Sequence, residues 1–190
     1  MTRIFIIRHA EAEGNLYRRL HGQYDSLLTE NGLKQVAALR KRFEKEQVDA
    51  CYSSDLIRTR MTAKAIYEPK HLPLQTDPRF REIRMGIWEE VPFGEVGQHE
   101  KHLLDTFNED PAHWVIPGAE RYEEYTGRFL AAMTEAQRRT MDRVLRSSPM
   151  ALSSGAFSCA CSMVWTIRNK QDTVTTPASH CWNMRQDNTI

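Results

Sequence analysis

The chain lacks any hydrophobic run long enough to span a membrane, and Arg8 interrupts its first residues before a signal-peptide core can form. It also lacks an excess of either charge, because 26 Lys and Arg stand against 25 Asp and Glu. A net charge of +1 argues against a nucleic-acid-binding protein that works through bulk charge, so any anion site must be local. We therefore expect a cytoplasmic protein with neither membrane nor nucleic acid as partner.

Metal-binding patterns are scarce as well. The 4 cysteines show no paired metal-ligand spacing, and the 7 histidines form no HxxxH or HExxH arrangement. Cys159 and Cys161 give a weak metal or redox signal, which two reduced helix thiols explain more simply. We expect a reduced protein without a metal ion or other cofactor.

Strand-like and helix-like segments alternate along the chain. Its 190 residues and 41% hydrophobic content suit one domain with a sizeable core. The sequence contains no internal repeat. The alternation predicts an α/β fold with a mainly parallel sheet. The expected strands are 4–7, 48–52, 72–76 and a weak one at 150–152. The expected helices are 29–47, 55–67 and a long one from Gly118 to about Leu145.

Two stretches between these elements read as loops. Residues 10–28 form a long polar connection, and residues 84–118 combine several glycines and prolines with two tryptophans. A stretch of the second kind is often a lid or substrate loop, although it can simply cover a sheet edge. We expect 84–118 to be irregular and to act as a lid or substrate segment.

Polar residues follow three of the expected strands, as Arg8-His9, Ser53-Ser54 and Ser153-Ser154. Sites in parallel α/β sheets lie outside the carboxyl ends of the strands. The helix after Ser54 also turns its free N–H groups and positive dipole end toward this edge. Arg58, one turn into that helix, can then converge with Arg8 and His9 around an anion. The alternative is an ordinary polar exit from a buried strand, with Arg58 as a solvated helix arginine.

Four segments follow one another along the first half of the chain, namely RHAEAEGN at 8–15, HGQYDSLLTENG at 21–32, SSDLIRTRMTA at 53–63 and REIRMGIWEE at 81–90. In sequence and order they resemble the histidine phosphatase superfamily, the family of cofactor-dependent phosphoglycerate mutases and their phosphatase relatives. A fifth segment, PGAERYEEYTGRF at 117–129, is similar more loosely. The resemblance implies a single domain over 1–190, folded as a three-layer α/β/α sandwich of the phosphoglycerate mutase-like type.

The resemblance also implies roles for individual residues. His9 matches the nucleophilic histidine that is transiently phosphorylated, and Arg8 and Arg58 match the two phosphate-clamping arginines. Asn15 matches a phosphate-pocket asparagine, and Glu82 matches the acid/base glutamate. These residue types suit phosphoryl transfer, which needs positioning and charge neutralisation more than covalent assistance.

The sequence leaves two points about the site open. Glu82 has a structural alternative, a salt bridge to Arg81 or Arg84. Gln23 and Tyr24 are expected to bind substrate at the pocket mouth, where their side chains suit sugar phosphates, nucleotides or other small phosphorylated metabolites alike. No feature of the sequence indicates an oligomeric state.

The sequence departs from the family at one important position. The family normally has a second pocket histidine in a V-S-H-G-like turn, whereas this chain has Leu152 to Gly155, with Ser154 in the histidine's place. Ser154 is thus expected in the phosphate pocket, and no motif places His180 there. The family also usually continues beyond the point matching Ile190.

The hypothesis that follows is a metal-independent phosphatase of the histidine acid phosphatase type, a hydrolase acting through phosphohistidine at His9. Its activity is expected to be reduced by Ser154. One alternative is a phosphoglycerate mutase, an isomerase that would need loop insertions and a C-terminal tail for which 190 residues leave little room. The other is a non-catalytic protein that binds phospho-ligands or interaction partners.

Overall fold

Strands and helices alternate along residues 2–147 and 163–169, the part of the chain that the computed structural model describes. Single-turn 3-10 helices lie at Pro78–Phe80 and Gly86–Trp88. The strands are β1 (Thr2–Arg8), β2 (Ala50–Ser53), β3 (Leu74–Thr76) and β4 (Met163–Asn169). The helices are α1 (Glu13–Leu16), α2 (Glu30–Phe43), α3 (Ile57–Tyr67), α4 (Phe93–His99), α5 (Lys101–Glu109) and α6 (Tyr122–Ser147).

The described strands form one sheet in the order β1-β4-β2-β3. β2 and β3 pair in parallel, while β4 pairs antiparallel with both β1 and β2. Because β1 and β2 both oppose β4, the strands β1, β2 and β3 all run in one direction. The α/β fold is therefore confirmed, with β4 as the antiparallel member of the described sheet. The strand expected at 150–152 lies outside the described residues.

Helices cover both faces of this sheet. Successive residues of a strand point to opposite faces, and all four residues of β2 are buried. Ala50 and Tyr52 belong to a core that includes α6, whereas Cys51 packs in a second core with residues of α2 and α3. This arrangement agrees with the expected three-layer sandwich.

The starts of α2 and α3 are set by different kinds of cap. Thr29 caps α2 as expected, because its side chain accepts a hydrogen bond of 3.0 Å from the Gly32 N–H. α3 begins two residues later than predicted, since Leu56 is extended and has no capping side chain. Instead Asp25, distant in sequence, accepts from the Ile57 N–H at 2.7 Å. The long loop that contains Asp25 is thereby attached to the start of α3.

The expectation of an irregular 84–118 segment is wrong for its central part, which forms α4 and α5. Glycine inside α4 weakens its helical signal, and tertiary packing overrides this weak propensity. Trp114 is buried against Trp88 and Phe107, with ring centroids 5.5 and 4.9 Å apart. A role for this segment as a lid or substrate loop stays a prediction.

The longest described helix, α6, is amphipathic. Its buried side chains recur every three or four residues at Tyr125, Phe129, Ala132 and Ala136, as the sequence pattern predicted. Among the helices of the described residues, none combines the length and apolarity that a membrane span requires. The cytoplasmic location stays a prediction.

Substitution of Gly86, which lies in a tight turn, tests how closely the 84–118 segment packs. Gly86 has a φ of +56°, and a Cβ there would lie 2.2 Å from the Pro117 carbonyl oxygen. Gly86→Ala should therefore lower the free energy of unfolding by at least about 2 kcal/mol. Gly127→Ala in α6 is the matched control, because its added Cβ would have no atom within 4 Å apart from its chain neighbours and the adjacent backbone of its own helix. It should raise stability by about 0.5–1 kcal/mol, and equal urea midpoints for the two variants would contradict the packing described.

Candidate active site

His9 is the first residue after β1, and its side chain is buried with 7% exposure. Its Nδ1 lies 2.7 Å from the Ala10 carbonyl oxygen. Because a carbonyl oxygen only accepts, Nδ1 carries the proton and Nε2 keeps its lone pair. Burial, followed by the positive charge of Arg58, lowers the pKa of His9 to about 3. At neutral pH His9 is therefore an uncharged imidazole whose Nε2 can act as a nucleophile.

Arg58 is completely buried, which excludes the alternative of a solvated helix arginine. Its guanidinium donates to the Tyr24 carbonyl at 2.6 Å and to the Gly22 carbonyl at 2.9 Å. Burial lowers the pKa of Arg58, while the nearby carboxylates of Glu82, Asp25 and Glu89 raise it. An arginine stays protonated in proteins, so a fixed positive charge lies beside His9.

A hydroxyl link holds the His9 segment to α3. Thr62 accepts from the Ala10 N–H at 2.9 Å and donates to the Arg58 carbonyl at 2.7 Å. The buried hydroxyls of Ser54 and Thr59 lie 2.7 Å apart at the start of the same helix. The bonds of Thr62 fix the His9 segment and Arg58 relative to each other.

Arg8 and Asn15 lie on the exposed side of the site. The charge of Arg8 acts on His9 and lowers its pKa further. The Asn15 side-chain oxygen accepts from the Ala12 N–H at 3.0 Å. Since its oxygen is engaged, the amide NH₂ of Asn15 is the group that can donate to an anion. Phosphate binding by Asn15 stays a prediction.

Glu82 is half-buried and close enough to Arg58 to affect its pKa. The two arginines of its structural alternative bind other groups. Arg81 makes a two-pronged ion pair with Asp55 at 2.6 and 2.5 Å, and Arg84 donates to the Gly118 carbonyl at 3.0 Å. The acid/base role of Glu82 thus stays a prediction that the position of Glu82 permits.

The two residues expected at the pocket mouth contact the site in different ways. The Gln23 side chain donates to the Glu82 carbonyl at 3.1 Å, so it braces the segment of the expected acid. Tyr24 is 38% exposed, and the neighbouring Glu90 raises its pKa. Substrate contact by either side chain stays a prediction.

His21 is a residue of the site to which the sequence reasoning assigned no role. Its ring centroid lies 5.8 Å from that of His9, and its side chain is 8% exposed. Burial, followed by the charges of Arg58 and Arg8, lowers the pKa of His21 to about 4. Its only sequence signal was its place at the start of the family-like segment 21–32, and that place says nothing about the distance between His21 and His9.

Glycine at position 14 leaves the space that His21 occupies. A Cβ at position 14 would lie 1.8 Å from the His21 Nε2, which is buried and has no hydrogen-bond partner in the described structure. Within residues 2–147 and 163–169, no group of three or more His, Cys, Asp or Glu could hold a metal ion. Ser154 and His180 lie outside the described residues.

The two buried histidines should make stability depend on pH. In the unfolded chain they bind protons near their ordinary pKa of 6.5, whereas the folded chain binds them only near 3 and 4. Stability is therefore full above pH 6.5 and falls as the pH decreases below it. For His9 the loss between pH 7 and pH 5 should be about 2 kcal/mol.

Urea unfolding at both pH values measures this loss. His9→Asn should reduce the difference between the two pH values, while substitution of the exposed His113, whose side chain is 81% exposed, should not. The assigned protonation states would be wrong if His9→Asn lost as much stability as the parent.

Comparison with known proteins adds to this geometry. A sequence profile described as histidine phosphatase superfamily (branch 1) matches residues 4–162. A protein of Yersinia pestis named probable phosphoglycerate mutase GpmB is 32% identical over 163 residues, covering 85% of this chain and 74% of that protein.

Solved structures show the same similarity. Bacillus stearothermophilus YhfR has a TM-score of 0.68 and 28% identity, covering 78% of this chain and 81% of its own. A mycobacterial glucosyl-3-phosphoglycerate phosphatase in complex with VO3 has a TM-score of 0.66 and 26% identity. That match covers 72% of this chain and 67% of the mycobacterial one.

Proposed function

This chain belongs to the histidine phosphatase superfamily, and we propose that it is a phosphomonoester hydrolase acting through a phosphohistidine at His9. One observation carries the proposal. A buried, neutral imidazole has its Nδ1 proton held by Ala10, so that Nε2 is the nucleophilic atom, beside the charges of Arg58 and Arg8. An imidazole in this state can attack phosphorus, and the charges beside it favour a phosphoryl group.

The proposed reaction has two steps. In the first, His9 Nε2 attacks phosphorus, the bond from phosphorus to the leaving oxygen breaks, and Glu82 gives that oxygen its proton. In the second, the Glu82 carboxylate takes a proton from water, the water oxygen attacks phosphorus, and the P–N bond breaks. Inorganic phosphate leaves, and both His9 and Glu82 return to their starting states.

The arginines supply the charge neutralisation that phosphoryl transfer needs. Arg58 is buried and held by two carbonyls, so its position changes little when an anion arrives. A guanidinium presents donors in a planar fork that matches two phosphoryl oxygens. We therefore propose that hydrolysis needs no divalent metal ion.

The proposed substrate is a small phosphorylated metabolite. Two of the similar proteins are named for such substrates, the glucosyl-3-phosphoglycerate phosphatase and the probable phosphoglycerate mutase. The second name supports a second candidate, a mutase that returns the phosphoryl group to another hydroxyl of the same substrate. Phosphorus NMR with 3-phosphoglycerate distinguishes the two, because a mutase forms 2-phosphoglycerate and a phosphatase forms inorganic phosphate.

The test of the proposal is to trap the phosphorylated enzyme. Brief incubation with radiolabelled substrate in EDTA should label the protein with an acid-labile phosphate, and the label should map to His9. His9→Ala should lose both the label and turnover, whereas the control His113→Ala should keep both. Turnover by His9→Ala would refute the mechanism, and a requirement for a divalent ion would refute metal independence.

We also propose that Ser154 stands in the place of the family's second histidine, and this gives a further prediction. A serine hydroxyl is neutral and shorter than an imidazole, so one phosphoryl oxygen lacks a preorganised donor, which typically costs on the order of 10²–10³ in rate. We expect a slow phosphatase whose kcat rises about tenfold or more in Ser154→His. An unchanged rate in a folded Ser154→His protein would favour the non-catalytic alternative, in which the chain only binds phospho-ligands.

A further inference from the structure

Arg128 of α6 holds the backbone that leads to Glu82. One terminal nitrogen of its guanidinium donates to the carbonyls of Arg79 at 2.7 Å and Arg81 at 2.9 Å. The other donates to the carbonyl of Glu82 itself at 2.9 Å. A single side chain therefore fixes three carbonyls in the segment that carries the proposed acid.

The guanidinium of Arg128 is itself held in place by Glu120. The Arg128 Nε and one terminal nitrogen donate to the two Glu120 oxygens at 2.5 and 2.7 Å. The Arg128 guanidinium also lies 5.0 Å from the centre of the Tyr125 ring. Both side chains of the ion pair are largely buried, with 20% exposure for Arg128 and 10% for Glu120.

A second donor, from a different segment of the chain, reaches the same carbonyl. The Gln23 side chain donates to the Glu82 carbonyl, and the Gln23 N–H donates to Glu89 at 2.9 Å. The neighbouring carbonyls of Gly22 and Tyr24 bind Arg58. The Glu82 backbone is thus tied both to α6 and to the loop held by Arg58.

We propose that Arg128, oriented by Glu120, is a positioning residue for proton transfer by Glu82. This inference rests on the proposed phosphatase function. A buried ion pair adds little net stability because desolvation offsets its attraction. The pair instead fixes the backbone from which the Glu82 carboxyl reaches the leaving oxygen, and an acid that is displaced by about 1 Å loses much of its effect.

The dependence of kcat/KM on the leaving group distinguishes a residue that positions the acid from one that only supports the fold. An alkyl alcohol is a poor leaving group and needs a proton in the transition state, whereas p-nitrophenolate leaves readily without one. Loss of acid positioning should therefore lower hydrolysis of an alkyl phosphate far more than hydrolysis of p-nitrophenyl phosphate. The measured quantity is kcat/KM, which covers formation of phosphohistidine and excludes its later hydrolysis.

The experiment compares β-glycerophosphate with p-nitrophenyl phosphate in four variants. Arg128→Lys keeps the charge but cannot reproduce the fork, and Glu120→Gln keeps the shape but weakens the ion pair. Glu82→Gln sets the pattern expected when the acid is absent. Arg139→Lys is the matched control, because Arg139 lies on the same helix with 58% of its side chain exposed and pairs with Glu135.

We expect Arg128→Lys and Glu120→Gln to lower kcat/KM for β-glycerophosphate by about 10²-fold and for p-nitrophenyl phosphate by less than about tenfold. Glu82→Gln should show the same selectivity, and Arg139→Lys should match the parent. Equal losses on both substrates, or no loss, would overturn the inference and leave the proposed function intact. A parent that hydrolyses neither substrate would overturn the proposed function and this inference with it.

If Arg128→Lys does not fold, Glu120→Gln decides the question. Glu120→Gln leaves Arg128 and its bonds to the three carbonyls possible but removes the charge that orients it. Selective loss on β-glycerophosphate in a folded variant supports the inference. Thermal unfolding of each variant, followed by circular dichroism, shows which proteins are folded during the assays.

Discussion

The buried guanidinium of Arg58 is the constraint on which the rest of the candidate site depends. A charge removed from water must be compensated, and the carbonyls of Gly22 and Tyr24 accept its hydrogen bonds, with three carboxylates nearby. This requirement holds the loop that contains Gly22 and Tyr24 against α3. Through Thr62 the same helix also holds the segment of His9. The loop, the helix and His9 thus form one connected unit.

The positive charge and burial of this unit determine the protonation states of its two histidines. Positive charge and exclusion of water together keep His9 and His21 neutral, since a proton on either imidazole would be repelled and poorly solvated. The same two conditions would strengthen the attraction for the phosphoryl group of the proposed substrate. Stability and the proposed function are therefore linked, because the burial and charge that keep His9 neutral at neutral pH also make the protein sensitive to acid.

Sequence-based prediction succeeded where neighbouring residues determine the structure, and it failed where residues far apart in the chain determine it. Thr29 was a local capping signal, and the strands 4–7, 48–52 and 72–76 have counterparts in β1, β2 and β3. The start of α3 was misplaced because Asp25, far away in sequence, caps it. α4 was missed because its two glycines weaken the helical signal, and α5 was missed with it because the whole 84–118 segment was treated as one loop. Packing around Trp114 stabilises this part of the chain.

By itself the sequence determined the α/β alternation, the family motifs and the residue types that suit phosphoryl transfer, since these follow from local composition and order. Only the tertiary structure decided that Arg58 is buried, that His21 lies beside His9, and that Arg128 reaches Glu82 across 46 positions. The reason is physical. Hydrogen bonds and the exclusion of water depend on distances that packing sets between segments far apart in the chain, and no local pattern encodes them.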